Sequence, residues 1–169
     1  MFKKLVEIQK RKNQEIKDKW NEDRQLIKEK SEIKNSQEQA LSMEYFNNPN
    51  INPQFTKKKA AKIFKKIAPD EKALVVAEAT ERFRIGKGKQ QSFRNGDRGL
   101  LILTDKTIYF IKHTSGVSYQ EYSLDKVKGI EAAGITTVEI VFGRIPKYYS
   151  VLIGQTAFIQ TYSNMFFEQ

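Results

Sequence analysis

Few residues in this chain have the types and spacing to do covalent chemistry. His113 is the single histidine, and there is no cysteine. One imidazole without a thiolate or a second histidine gives neither an ordinary zinc site nor a Cys–His pair. No G-x-S-x-G elbow accompanies it, so His113 reads as a satisfied or exposed side chain. Gly86-Lys87-Gly88-Lys89 has the composition of a phosphate loop, but it lacks the G-x-x-x-x-G-K-[ST] spacing and no helical pattern follows. Asp97, Asp105 and Asp125 fall in expected turns, where a carboxylate accepts from local backbone amides. The expectation is a non-enzymatic protein with no cofactor and no metal site.

Cations in two segments are the remaining chemistry. The segment KKKAAKIFKKIA carries Lys57, Lys58, Lys59, Lys62, Lys65 and Lys66. Ala60, Ile63, Phe64, Ile67 and Ala68 recur at helical spacing and so share one face, and Pro69 ends the helix. The second segment, residues 85–98, offers Lys87, Lys89, Arg94 and Arg98 on an expected basic loop. The net charge is +10. Residues 1–72 hold 18 Lys+Arg against 11 Asp+Glu, and residues 73–169 hold 12 against 9. This excess would draw an anionic partner toward the N-terminal part. Three readings of the basic helix stand open. Its apolar face packs on the following domain with the lysines solvated. Alternatively, it lies on an anionic membrane with Ile63, Phe64 and Ile67 inserted, each lysine contributing about 1 kcal/mol. In the third reading it meets nucleic acid or an acidic protein.

The elements that would position these cations divide the chain into three parts. Residues 1–44 form a helical arm, free of Pro and Gly from residue 3 to 44 and dominated by Glu, Lys, Gln and Arg. Its apolar residues, among them Ile16, Trp20 and Ile27, are too sparse for a continuous coiled-coil seam, because Asp23 and Lys30 interrupt it. Trp20 is the one large anchor on this arm, which marks a partner contact. Residues 45–56, with Asn48-Pro49 and Asn52-Pro53, read as a linker. Residues 57–169 form the domain together with its basic helix. The N-terminus has basic residues but no apolar run after them, so a secretory signal is not expected. No stretch approaches a membrane span, and the expectation is a cytoplasmic protein, peripheral at the inner face of the membrane.

From Ala73 the apolar period changes to two. Strands are expected at 73–84, 98–104, 107–113, 118–123, 126–133, 136–143 and 146–152, and a helix at 155–168. Thr104-Asp105-Lys106 is a tight hairpin turn, and Gly134 and Gly143 break later strands where positive φ is easiest. The wording GLLILTDKTIYFI, then YSLDKVKGIE, then VEIVFG resembles the bacterial pleckstrin-homology-like (PH-like) domains over roughly residues 70–169. The resemblance implies an α+β fold: a seven-stranded antiparallel bent barrel with a C-terminal capping helix, plugged by Phe158, Tyr162 and Phe166. The long polar helix and the short basic amphipathic helix precede it. Eukaryotic PH domains that bind phosphoinositides hold phosphates with Lys and Arg around the first hairpin, here residues 85–98. This sequence has no Lys/Arg-x-Arg pair on the second strand.

Together these features point to a docking or adaptor module that binds a protein partner or an anionic lipid surface, with oligomers through exposed strand edges. The alternative is a nucleic-acid-associated or phage-borne inhibitory protein acting on a host complex through its basic helical arm.

Overall fold

The computed structural model describes residues 2–51, 58–86, 92–114 and 116–167. The elements are α1 (Phe2–Phe46), α2 (Lys58–Ile67), β1 (Ala73–Ile85), β2 (Ser92–Thr104), β3 (Thr107–Lys112) and β4 (Tyr119–Ser123). A 3-10 turn (Leu124–Lys126) follows, then β5 (Val127–Ala132), β6 (Thr137–Phe142), β7 (Ile145–Val151) and α3 (Gln155–Phe167). The chain divides into two compact units, Met1–Glu38 and Gln39–Gln169. No helix among the described residues is long and apolar enough to cross a membrane.

The first unit is a single stretch of α1. Local contacts on it include Gln14 Nε2 donating to Asp18 Oδ1 at 2.9 Å and a Lys34–Glu38 ion pair at 3.8 Å. Both are i,i+4 pairs, which add a few tenths of a kcal/mol each to a helix.

In the second unit the seven strands form one antiparallel sheet in the order β4-β3-β2-β1-β7-β6-β5. The sheet curls so that side chains from every strand meet in one inner core. Leu101, Leu103, Phe110, Val138, Ile140, Tyr149 and Val151 are buried there, with Phe158 and Tyr162 of α3 among them. Phe166, expected in the same plug, is instead 47% exposed and stacks on Tyr162. Gly134 and Gly143 take positive φ at the turns flanking β6, as the strand breaks required.

The other face of β1–β3 is buried as well. Val76, Leu100, Ile102, Tyr109 and Ile111 pack against Tyr45, Phe46 and Ile51, and against Ala60, Ala61, Ile63, Phe64 and Ala68. The Phe64 ring lies 5.7 Å from Phe46 and 5.6 Å from Tyr109. Residues 45–51, which read as linker, are therefore core-forming. Asn47 closes α1 in the left-handed region (φ 53), a conformation Asn tolerates, and its Nδ2 donates to the carbonyls of Glu71 (2.8 Å) and Pro69 (3.0 Å). Asn48 donates to the Ala73 carbonyl at 2.8 Å and Ser42 to the Ile51 carbonyl at 2.8 Å. Glu71 in turn accepts from the Thr104 hydroxyl (2.6 Å) and the Tyr109 hydroxyl (2.9 Å). The Asn-rich stretch thus satisfies its buried backbone neighbours with side chains.

The β1–β2 hairpin runs further than the sequence pattern suggests. β2 begins at Ser92 rather than residue 98, and the register pairs Phe83 with Arg94, Arg84 with Phe93 and Ile85 with Ser92. Gly96 lets this happen: a Cβ there would come within 2.4 Å of the Phe83 ring. A bulge opposite Thr80–Arg82 accommodates one extra residue of β2, as bulges do when a strand bends.

Two-sided burial of β2 and β3 makes the helical layer part of the fold. A chain starting at Gln39 is expected to fold with the midpoint of the full chain. A chain starting at Asp70 is expected to aggregate, because it bares Leu100, Ile102 and Ile111. Phe64→Ala should cost about 3–5 kcal/mol in urea denaturation. A soluble, cooperatively folding chain from Asp70 would contradict this.

Candidate docking surface

The lysines of α2 do not form one free patch. Lys57 lies outside the described residues, as do Lys87 and Lys89, and the side chain of Lys58 is likewise not described. Lys59 Nζ donates to the Thr114 carbonyl at 2.8 Å. Lys65, half-buried, donates to Asn47 Oδ1 at 2.9 Å and to the Pro69 carbonyl at 3.4 Å. These two amines clamp the helix to neighbouring loops, while Lys62 and Lys66 are exposed. The apolar face is occupied as well: Ile63 and Phe64 are buried in the helix-facing core and Ile67 packs against it. Insertion of these three into a membrane is excluded in this fold, and the packing reading of α2 holds.

Arg94 and Arg98 sit on β2 and are both exposed, but they do not converge. Arg94 lies 5.8 Å over the Phe83 ring. Arg98 lines a cleft with Glu78, Thr80, Asn95, His113 and Ser150, so its neighbours include a carboxylate. Trp20 is 63% exposed, with the Arg24 guanidinium 5.5 Å from its ring.

A denser cationic site lies where β1 meets β7. A groove of about 260 Å³ wraps the strand ends there, lined by Arg82, Arg84 and Tyr148 from one face and by Glu81, Phe83 and Lys147 from the other. Aromatic rings hold its arginines. The Arg82 guanidinium is 4.7 Å from the Phe93 ring and donates to Thr137 Oγ1 at 3.1 Å. Arg84 sits 5.9 Å over Tyr148 and donates to its hydroxyl at 3.3 Å. Phe93 and Tyr148 meet edge to face at 5.0 Å. Rings that carry guanidinium groups in this way hold the donor fork in place for carboxylate or phosphate. Phe83 and Ile145, 42% and 72% exposed, form the apolar lips. The sequence signal was the alternation Arg82-Phe83-Arg84, which puts both arginines on one strand face.

The groove's carboxylate, Glu81, is 5% exposed and meets its partners from inside. Lys112 Nζ lies 3.7 Å from Glu81 and 2.8 Å from Asp97, which places Asp97 in a strand bulge rather than a turn. Gln120 Nε2 donates to Glu81 at 3.0 Å, and Gln120 Oε1 accepts from the hydroxyls of Tyr122 and Tyr149 (3.0 Å from the latter). The two hydroxyls are 2.6 Å apart. The network braces the hairpin's inner side. Burial holds the Tyr122 and Tyr149 phenols above their ordinary range. Burial, then the Glu71 carboxylate, pushes Tyr109 up to about 12. The hydrogen bond to Asp97 raises Lys112.

No family model matches the chain, and no curated protein matches it. Among solved structures, it is similar to the C-terminal domain of an unknown protein from Leishmania infantum, at 14% identity and a TM-score of 0.44. The similarity covers 62% of this chain and 94% of that one.

The raised tyrosines and Lys112 make stability sensitive to alkali. Unfolded tyrosines ionise near pH 10, whereas these folded ones do so higher. Their contribution is therefore whole below about pH 10 and lost as pH rises through the folded values. Lys112 acts in the same direction. The urea midpoint should fall between about pH 9 and pH 12, and the phenolate absorbance of Tyr109, Tyr122 and Tyr149 should develop only with unfolding. Titration of all seven tyrosines near pH 10 in the folded protein would contradict the network.

Proposed function

We propose that the chain is a non-enzymatic bacterial PH-like docking module and adaptor, peripheral to the cytoplasmic face of the membrane, whose barrel takes an acidic segment of a protein partner. The seven-stranded antiparallel meander with β1 paired to β7, and α3 packed into the inner core, supports the PH-like reading. The single observation that carries the docking reading is the groove between β1 and β7. Arg82 and Arg84 line it from one face of the strands, and Lys147 lines it from the other together with the exposed Phe83 and Ile145. Glu81, the carboxylate among its described lining residues, is buried and lies 3.7 Å from Lys112.

This composition suits a peptide with carboxylates next to an aliphatic or aromatic residue. Paired arginines bind carboxylates in a fork geometry, and the apolar lips add the buried contact that anchors an interface. Duplex nucleic acid would fit less well, because Phe83 and Ile145 would face a phosphate backbone that offers them nothing.

The test compares the full chain with R84Q/K147Q, both exposed positions, in affinity purification from host lysate at low and moderate salt. A stoichiometric protein partner retained by the full chain and lost by the variant is expected, with the loss steeper at higher ionic strength. A partner held equally by both proteins would overturn the assignment to this groove, and an eluate of nucleic acid alone would overturn the protein-docking reading.

A further inference from the structure

The first unit carries a pattern that its amino-acid composition conceals. Each residue of an α-helix turns the chain by about 100°, so side chains sort into rows along its surface. Ile16, Trp20 and Ile27 fall on one line and are 59%, 63% and 67% exposed, while Leu26 and Ile33, 50% and 59% exposed, lie off it toward the acidic side. Lys12, Lys19 and Lys30 run along one side of that line, and Lys10, Lys17, Arg24 and Lys28 along the other. The opposite side of the helix holds Glu7, Glu15, Asp18, Glu22 and Glu29. Between Glu7 and Ser31, seven of eight basic residues flank the apolar line and five of six acidic ones face away from it. Arg11 and Asp23 are the exceptions. Solubility alone gives no reason for charges to sort by sign.

We propose that this face of α1 lies on an anionic lipid bilayer, with Trp20 at the headgroup boundary and the two cationic rows on lipid phosphates and carboxylates. Long Lys and Arg stems run along an apolar surface while lifting their charge to the polar layer. Cations on both borders of a thin apolar line, with most carboxylates turned away, suit a helix held on such a surface mainly by charge. A lone Trp suits the same boundary, where one ring edge is apolar and the N–H is wet. A helical protein partner is disfavoured, because Asp23 and Lys34 break the continuous seam it needs. Duplex DNA would leave Ile16 and Ile27 unburied. The proposal goes beyond the barrel groove and stands without it: the arm would hold the module at a membrane while the groove holds a partner.

The experiment uses the full chain with phosphatidylcholine vesicles, with and without about one third phosphatidylserine. Trp20 is the only tryptophan, so its emission reports the arm directly. A blue shift and co-sedimentation with the anionic vesicles only, both lost at high salt, are expected. K12Q/K19Q/K30Q should weaken partitioning at least about 10-fold. E15Q/D18Q/E22Q, on the far side, should leave it equal or stronger. R84Q/K147Q should bind vesicles normally whether or not the groove docks a protein. Absence of a Trp20 shift on anionic vesicles would overturn the proposal. So would equal losses from the two arm variants, loss with R84Q/K147Q in place of the lysine variant, or a Trp20 shift with duplex DNA but not with vesicles.

Discussion

Burial of β2 and β3 on both faces is the constraint from which the rest of the second unit follows. Leu101, Leu103, Ile108 and Phe110 point into the curled sheet, while Leu100, Ile102, Tyr109 and Ile111 point the other way. Each such side chain contributes roughly 1.5–3 kcal/mol when removed from water, so neither face can be left bare. The sheet must curl to cover one and recruit helices to cover the other. Gly99 shows how closely the two strands approach, since a Cβ there would lie 2.3 Å from the Ile111 carbonyl oxygen. The end of α1, the Asn47–Ile51 stretch and α2 are recruited to the outer face, and the lysines of α2 are spent partly on fixing that layer.

This constraint also separates what could be read in the sequence from what could not. The strands follow period-two patterning and turn residues, and they lie within a few residues of their expected bounds, apart from the start of β2. Leu100–Leu103 and Ile108–Ile111 do not alternate. Those unbroken apolar runs were the available sign of two-sided burial, and they announce that a further layer must exist. The stretch from Tyr45 to Ile51 was harder. Its Asn and Pro residues do end a helix, as propensity says. The same Asn side chains then satisfy buried carbonyls across the chain, a tertiary role that local turn chemistry does not encode. The full length of the β1–β2 hairpin is hidden for a similar reason. Ser92–Asp97 looks like loop by composition, and only pairing with β1, with Phe83 over Gly96, makes it strand.

Function was less legible because charge count is not charge arrangement. The six lysines around α2 dominate the sequence, yet the described ones divide between clamps and solvent. Arg82, Arg84 and Lys147 line one groove, where β1 and β7 pair Arg82 with Tyr148. Glu81 in the same groove meets Lys112 and Gln120 on its core side. In the arm, helical geometry sorts the signs of charge that a linear count averages away. An acidic protein segment at the groove and an anionic bilayer under the arm would make one module bind two different partners.

Native-state hydrogen exchange tests the central constraint most directly. If the helical layer and the sheet are one cooperative structure, amides of Ala61–Ile67 and Leu41–Phe46 should open at the same free energy as those of Leu100–Leu103 and Ile108–Ile111. Amides from Glu7 to Gln37 should exchange faster. Exchange of the α2 amides at the fast rate of the arm, while β2 and β3 stay protected, would contradict the account.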